Sequence, residues 1–362
     1  MSGDQKNIFS DLIVVELASV LAGPAVGLFF AELGAKVIKV ENTSTKGDIT
    51  RHWKTKGDDP DNKLSAYYYS VNWNKEAHLI DLENKEERNL VLKWIESADI
   101  VISNFKHGSD IKLGMDYHSL RAINTSLIYA NISAYGNENP TPGFDVSMQA
   151  ETGWVYMNGD SEGPPVKMPV ALIDILAAHQ LKEGILIALL QRMKTGDGSQ
   201  VSVSLYDTSI ASLANQASNW LNLQQLPERM GSSHPNISPY GDIVSTKDGL
   251  QIMITAGTQK QFLELCDFLE MQELKDDSDF RSNLDRVENR KNLIKLLQLK
   301  IARYTISDLR AKDQDLKSVL VPIQNLQQVF ENQSAKELVL TQQENDGRES
   351  KRVKTAIFKI SN

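Results

Sequence analysis

The sequence has very little cysteine and no apolar run long enough to cross a membrane. Its single cysteine, Cys266, cannot form a disulfide within the chain, and its amphipathic surroundings favour a buried structural thiol. The most apolar stretch, residues 17–31, contains Gly23-Pro24 and is bracketed by Glu16 and Glu32. The N-terminus has no basic segment followed by an apolar one. We therefore expect a cytoplasmic protein with no membrane partner.

The sequence also lacks a basic face and any arginine-rich run. A formal net charge of −8 is spread along the chain, which argues against nucleic acid as a partner. The composition, 41% hydrophobic and 24% charged, is that of a globular protein, and 362 residues can bury a substantial core without disulfides or a structural metal. An enzyme with no metal and no tightly bound cofactor is therefore physically possible.

Strands and helices alternate in the first part of the sequence. Apolar runs at 12–17 and 36–41 flank a helical stretch at 24–33, and together they predict a βαβ unit. Further strands are predicted at 79–82, 99–103 and 126–132, with helices at 85–97 and 117–123. We expect a doubly wound, Rossmann-like parallel sheet. Its first strand-to-helix turn has one glycine rather than G-x-G-x-x-G, which argues against NAD or FAD.

The remaining sequence predicts a second, smaller domain. The strongest helix of the chain is predicted at 174–194 and is followed by the stop signal Thr195-Gly196. The elements predicted after it are a strand at 200–205, a helix at 207–223, a strand at 250–255, helices up to 317, a helix at 326–338 and a strand at 353–360. We predict a large α/β domain over 1–224, a small α+β domain over 225–320, and a tail over 321–362 that returns to the large domain.

Asp174 opens the strongest predicted helix. A carboxylate there is stabilised by the free N–H groups and by the helix dipole, so an ordinary N-cap is one interpretation. The preceding loop is rich in Gly and Pro, and helix starts at the carboxyl edge of an α/β sheet are where ligands bind. From these residues alone, a cap and a functional carboxylate both stay open.

Several segments, in order, resemble the class III (CaiB/BaiF) CoA-transferases. The longest runs from Val170 to Gly196 and continues over 198–207. The others are Leu21-Ala-Gly-Pro24, residues 33–41, Gly47-Asp-Ile-Thr-Arg51, Ser103-Asn-Phe105, Gly143-Phe-Asp145 and residues 233–240. The resemblance spans most of the chain. It implies an interlocked homodimer that takes acyl-CoA and a free carboxylic acid as substrates, with no tightly bound cofactor.

The resemblance also implies roles for particular residues. Asp174 would be the nucleophile and would carry CoA as an aspartyl thioester. Asp145 matches a nearby acidic position and would either tune Asp174 or cap its own helix. Gly231, Ser232 and Ser233 would offer backbone N–H groups to oxyanions, or only connect the domains. The implied CoA-binding residues are Val20, Leu21, Asn104, Phe105 and Lys112, with Lys39 and Arg51 as further cations for phosphate or as surface charges.

Two other functions are open. Racemases of α-methylacyl-CoA esters have the same aspartate with a histidine before the second acidic residue, but Phe144 stands there and cannot exchange a proton. A catalytically silent CoA-binding protein would need neither Asp174 nor Asp145. Relatives that act on oxalate and formate have Gln where this chain has Leu21, which disfavours a small polar diacid. The sequence leaves the acyl donor and acceptor open.

Overall fold

The computed structural model describes residues 8–312, 319–344 and 347–361, which form two compact units. Of the described residues, those within 1–152, 168–214 and 334–362 form unit 1, and those within 153–167 and 215–333 form unit 2. The division differs from the predicted 1–224, 225–320 and 321–362 because the helix predicted at 207–223 is broken after Ala211, just where the units part. Residues 153–167 belong to unit 2, where the Gly159 carbonyl accepts from the Gly231 N–H.

Unit 1 is built on a parallel sheet. In the described residues, it has six strands in the order β3-β2-β1-β4-β5-β6. The strands are β1 (Ile13–Leu17), β2 (Lys36–Asn42), β3 (Glu76–Ile80), β4 (Ile100–Ser103), β5 (Ile128–Ser133) and β6 (Ser199–Ser204). The predicted parallel sheet is confirmed. The strand order reverses between β1 and β4, and ligands bind beyond the carboxyl ends of strands at such a reversal.

Helices cover both faces of this sheet, which is why its central strands are apolar at nearly every position. Val15 and Val101 share a core with Val91 and Ile95 of a helix on one face. The helices of unit 1 are α1 (Ala22–Glu32), α2 (Ala66–Tyr69), α3 (Lys85–Glu96), α4 (Ser109–Leu113), α5 (Tyr117–Arg121), α6 (Asp145–Glu151), α8 (Leu172–Thr195) and α9 (Leu205–Ala211), with 3-10 turns at Thr43–Thr45 and Ile49–His52.

A hairpin near the end of the chain belongs to unit 1. Strands β10 (Val339–Gln343) and β11 (Glu349–Val353) pair antiparallel. The strand predicted at 353–360 is wrong, because β11 ends at Val353 and irregular chain follows. This irregular chain is fastened to α1 at Glu32, whose buried carboxylate accepts from Arg352 and from the backbone N–H groups of Thr355 and Ala356.

Unit 2 has a small antiparallel sheet and its own core. In the described residues, the sheet order is β7 (Tyr240–Ser245), β8 (Gln251–Thr255) and β9 (Leu320–Pro322). Its core contains Ile254, Phe262, Leu265, Leu293 and Leu297, all fully buried. Its helices are α7 (Trp154–Met157), α10 (Ala214–Leu223), α11 (Gln259–Phe268), α12 (Glu273–Asp276), α13 (Asn283–Glu288), α14 (Arg290–Ile301), α15 (Ile306–Lys312) and α16 (Leu326–Glu331). The short helix α17 (Gln333–Lys336) starts at the last residue of unit 2 and otherwise belongs to unit 1.

The helices predicted from residue 256 to 317 run into residues 313–317, which lie outside the described residues. The helix predicted at 326–338 is divided into α16 and α17. Within the described ranges, no helix combines the length and the apolar character needed to cross a bilayer.

Candidate functional site

Asp174 is the third residue of α8, which starts two residues earlier than predicted and has Ala171 as its N-cap. The aspartate is therefore not the cap. Asp174 is only 9% exposed. Burial and then the charge of Asp145 raise the pKa of Asp174 to about 7. A carboxylate that is half protonated near neutral pH is a strong candidate for a reacting group.

Asp145 caps the helix that carries Asp174. Its Oδ1 accepts from the Ile173 N–H at 2.7 Å, which satisfies one of the first-turn donors of α8. Of the two predicted roles of Asp145, the cap of its own helix is corrected, since the N-cap of α6 is Phe144 and the helix that Asp145 caps is α8. The other role agrees with the effect of its charge on the pKa of Asp174. Its Oδ2 accepts from the Gln149 amide at 2.7 Å, and Gln149 is fully buried. The two carboxylates are thus held near each other by the backbone.

Tyr67 of α2 lies near both carboxylates of the candidate site, which the sequence did not predict. Burial, then the charges of Asp174 and Asp145, raise the pKa of its phenol. The phenol is a neutral hydrogen-bond donor within electrostatic range of both carboxylates. Its ring contacts Trp53 edge to face, with ring centroids 5.2 Å apart. The only sequence signal is the run of three tyrosines at 67–69, which does not say which of them faces a site.

Part of the predicted CoA-binding set meets at the switch point of the sheet. Asn104, just after β4, donates to the Ser19 carbonyl at 2.8 Å and accepts from the Ser19 N–H at 3.0 Å. This pair of bonds links the ends of β1 and β4, with Val20 and Leu21 next in the turn. Phe105 is partly buried and packs on the core beneath. The structure thus brings Val20, Leu21, Asn104 and Phe105 to one edge of the sheet.

The predicted surface cations differ from one another. Lys112 on α4 contacts Glu83 at 3.3 Å, and both side chains are about three-quarters exposed (75% and 74%). Such a pair is weak, so Lys112 is available to an anion. Arg51 is different, since its guanidinium makes two hydrogen bonds to Glu41, at 2.6 and 2.9 Å, and one to the Tyr68 hydroxyl. Its charge is already matched by a carboxylate.

The prediction that Lys39 binds a phosphate or lies on the surface is corrected by its burial. The side chain is 0% exposed, and its ammonium contacts Glu16 at 2.8 Å and Asp48 at 3.0 Å. Its third hydrogen bond goes to the Ala18 carbonyl at 2.9 Å. All three N–H donors are used inside the protein. A phosphate has no access to this lysine.

The predicted oxyanion loop lies in unit 2. The Gly231 N–H donates to the Gly159 carbonyl at 2.9 Å, and the Ser233 N–H donates to the Met230 carbonyl at 3.2 Å. Two of the three proposed donors are thus engaged within the unit. The Ser233 hydroxyl also donates to Asp242, which fixes the loop to β7. An oxyanion role for these residues stays a prediction.

A family model, sequence relatives and a solved structure all relate this chain to one family. The family model described as CoA-transferase family III matches residues 9–362. The chain is 35% identical over 333 residues to a succinate–glutarate CoA-transferase of Agrobacterium fabrum, covering 90% of this chain and 82% of that protein. It is 32% identical over 320 residues to the succinyl-CoA:glutarate CoA-transferase of Homo sapiens, covering 88% and 72%.

A solved structure is similar along nearly the whole chain. It is that of a CaiB/BaiF family protein from Brucella suis, with 35% sequence identity and a TM-score of 0.82. The match covers 98% of this chain and 93% of that one.

Proposed function

Because this chain belongs to CoA-transferase family III and is a CoA-transferase, we propose that Asp174 is the carboxylate that carries CoA between the two acids. The observation that supports this is the state of Asp174. It is a buried carboxylate at the start of a long helix, with its pKa raised to about 7 by burial and by Asp145. A poorly solvated carboxylate of raised basicity is a better nucleophile than a hydrated one.

The proposed reaction begins when the Asp174 carboxylate attacks the thioester carbonyl carbon. A C–O bond forms and the C–S bond breaks, which gives a mixed anhydride and CoA thiolate. The thiolate then attacks the aspartyl carbonyl, so that a new C–S bond forms and the first acid leaves as its carboxylate. The acceptor acid reverses these steps. One thioester is exchanged for another, so neither ATP nor a redox step is required.

Asp145 has two proposed functions in this scheme. Its Oδ1 holds the Ile173 N–H, and this contact fixes the first turn of α8 and therefore the direction of the Asp174 side chain. Its negative charge keeps the Asp174 carboxylate basic. Phe144 before it is 66% exposed and offers no group for proton exchange, so the structure gives no support to racemisation.

We propose a dicarboxylic acid as the acceptor, with succinyl-CoA as a suitable donor. The support comes from the relatives named for succinate and glutarate, which match along most of the chain. This revises the expectation based on Leu21, which disfavoured a small polar diacid. The acyl pocket would then have to admit a chain that ends in a second carboxylate.

The homodimer and the cytoplasmic location stay predictions. The homodimer is supported by exposed apolar side chains spaced three residues apart on α8. These are Ile187, Leu190 and Met193, with exposed fractions of 66%, 60% and 82%. Exposed apolar residues in a row are typical of a surface that another protein covers.

The test is intact-protein mass spectrometry after incubation with succinyl-CoA, followed by a hydroxylamine chase. We expect the wild type to gain the mass of CoA less water, and to lose it in hydroxylamine. Asp174→Ala should gain nothing. Asp308→Ala is a matched control, because Asp308 is also the third residue of its helix, yet accepts ordinary capping bonds from Thr305. It should form the adduct as the wild type does.

The proposal fails if Asp174→Ala forms the same adduct, or if this variant transfers CoA from succinyl-CoA to glutarate at the wild-type rate. Glutarate added to the wild-type adduct should discharge it and yield glutaryl-CoA. If glutarate does not discharge the adduct but an aliphatic monocarboxylate does, the dicarboxylate proposal is wrong and the aspartyl intermediate stands.

A further inference from the structure

A buried network of charged side chains lies under the first turn of unit 1. It starts between β1 and β2 and reaches the 3-10 turn at Ile49–His52. Three carboxylates and three cations balance one another in it, namely Glu16, Glu41 and Asp48 with Lys39, Lys75 and Arg51. Except for Arg51, whose side chain is 21% exposed, every side chain in these ion pairs is at most 1% exposed. Burial on this scale needs complete pairing.

The pairing is complete at both lysines. Lys75 donates to Glu16 at 2.7 Å, to the Pro24 carbonyl at 2.8 Å and to Asn72 at 3.3 Å. Lys39 donates to Glu16, to Asp48 and to the Ala18 carbonyl. The backbone of α1 lies directly on the network, because a Cβ at Gly27 would be 1.9 Å from a Glu16 oxygen. The network therefore has contacts on both sides of the turn between β1 and α1.

Asp48 extends the network to the turn itself. Its carboxylate accepts from the Val20 N–H, with the closer oxygen at 3.2 Å. It also accepts from the N–H and the hydroxyl of Thr50, at 3.0 and 2.8 Å. Val20 has a φ of +74°, in the left-handed region that a β-branched residue rarely adopts. A strained residue of this kind persists only where its surroundings hold it.

We propose that Asp48 is a positioning residue for CoA binding. Through the Val20 N–H, and with Lys39 on the Ala18 carbonyl, it holds the turn in the strained shape that presents Leu21 and the start of α1 to the ligand. The proposal rests on the proposed function and on the CoA-binding role that the family resemblance implies for Val20 and Leu21 of this turn. It also explains why two lysines, two glutamates and an aspartate are buried beside a turn whose positive φ falls on a valine rather than on a glycine.

The test uses Asp48→Asn, which keeps the size of the side chain but removes its charge and turns an N–H toward Lys39. We expect KM for succinyl-CoA to rise about tenfold while kcat changes less than about threefold, because the ligand site and not the chemistry is disturbed. Adding Val20→Gly to Asp48→Asn should bring KM most of the way back to the wild-type value, since glycine adopts a positive φ without strain. A purely structural defect would not be repaired in this way.

Asp99→Asn is the matched control. Asp99 accepts from the Ile13 N–H at 2.8 Å, at the other end of β1, and pairs with Arg192 at 2.9 Å. Its contacts are of the same kind as those of Asp48, but they lie at the amino edge of the sheet. We expect this variant to lose stability without a change in KM. An equal rise of KM in Asp99→Asn would overturn the proposal, as would an unchanged KM in Asp48→Asn.

Binding of free CoA, measured by calorimetry in an Asp174→Ala background, separates this proposal from the one about the nucleophile. We expect Asp48→Asn to weaken CoA binding there by about the same tenfold factor, whatever residue carries the CoA in turnover. Unchanged binding would overturn the positioning role. If Asp48→Asn does not fold, Thr50→Val removes one donor to Asp48 and keeps its charge. A smaller rise of KM is then expected, and no rise would overturn the proposal.

Discussion

Two buried regions of unit 1 shift the pKa values of their carboxylates in opposite directions. Under the first turn, burial acts to raise the pKa of Asp48, but Lys39 and the Thr50 donors outweigh it and the pKa is lowered. At the start of α8, burial and Asp145 both raise the pKa of Asp174 to about 7. In the described part of the chain, no cation offsets them. Both carboxylates are buried, so the opposite shifts of their pKa values come from the presence of a neighbouring cation at Asp48 and of a neighbouring carboxylate at Asp174.

The largest effect should come from breaking the compensated region. Lys39→Met removes a cation that contacts two carboxylates in a fully buried place, and leaves an excess of negative charge. We expect the free energy of unfolding to fall by about 3–5 kcal/mol, as when one partner of a buried pair is lost. Urea unfolding at pH 7.5 would measure this loss. A loss similar to that of Lys36→Met, whose pair with Glu76 is half exposed, would contradict the balance described here.

Asp174→Asn should have the opposite effect and stabilise the protein. Because the folded pKa of Asp174 is raised, the fold favours its protonated form. The stability it contributes is present below the unfolded pKa and is lost as pH rises through about 7. We expect the variant to match the wild type near pH 4 and to exceed it by about 2–4 kcal/mol above pH 7. Urea unfolding across this pH range measures the difference.

Asp308→Asn serves as the control for that experiment, since hydrogen bonds from Thr305 lower the pKa of Asp308. It should give no stabilisation at any pH. A gain for Asp174→Asn that does not change between pH 4 and pH 8 would mean that the charge of Asp174 is not its cause.

A smaller effect is expected from Asp145→Asn, which keeps an oxygen for the Ile173 N–H and removes the charge beside Asp174. In the wild type, kcat/KM for succinyl-CoA should rise with pH to a plateau above about 7, as Asp174 ionises. The variant should move the midpoint of this rise to lower pH by about one unit or less. A midpoint that stays in place would assign the raised pKa to burial alone.

The contrast between the two regions also explains what the sequence could predict. The strands β1, β2 and β4 were predictable because a parallel sheet covered on both faces is apolar at nearly every position. The same burial on both faces also predicts the environment of Lys39. Lys39 lies inside the run Val37-Ile-Lys-Val40, so a strand buried on both faces would have to bury this lysine with a carboxylate. The prediction of Lys39 as a surface or phosphate-binding cation was wrong for this reason.

Other features depend on contacts between distant residues and leave no local pattern. Asp145 caps a helix that begins 27 residues later, whereas the sequence predicted that it would either tune Asp174 or cap its own helix. Tyr67 comes near Asp174 through the packing of a short helix. The helix predicted at 207–223 is broken at residues 212–213, and no proline in its sequence predicts that break. The candidate nucleophile was found because its helix is long and its motif is extended, whereas its surroundings needed the structure.

The hydrogen bonds to Glu32 determine when α1 can complete its packing during synthesis. The Glu32 carboxylate finds its donors at Arg352, Thr355 and Ala356, and Ala356 lies 324 residues downstream. At about 5–20 residues per second, a ribosome reaches those donors about 15–65 s after it has added Glu32. Throughout that interval α1 cannot bury this end against its final partners. The helix that follows the turn at Val20 thus takes its native surroundings among the last, and nascent chains that end before residue 352 lack these donors to Glu32.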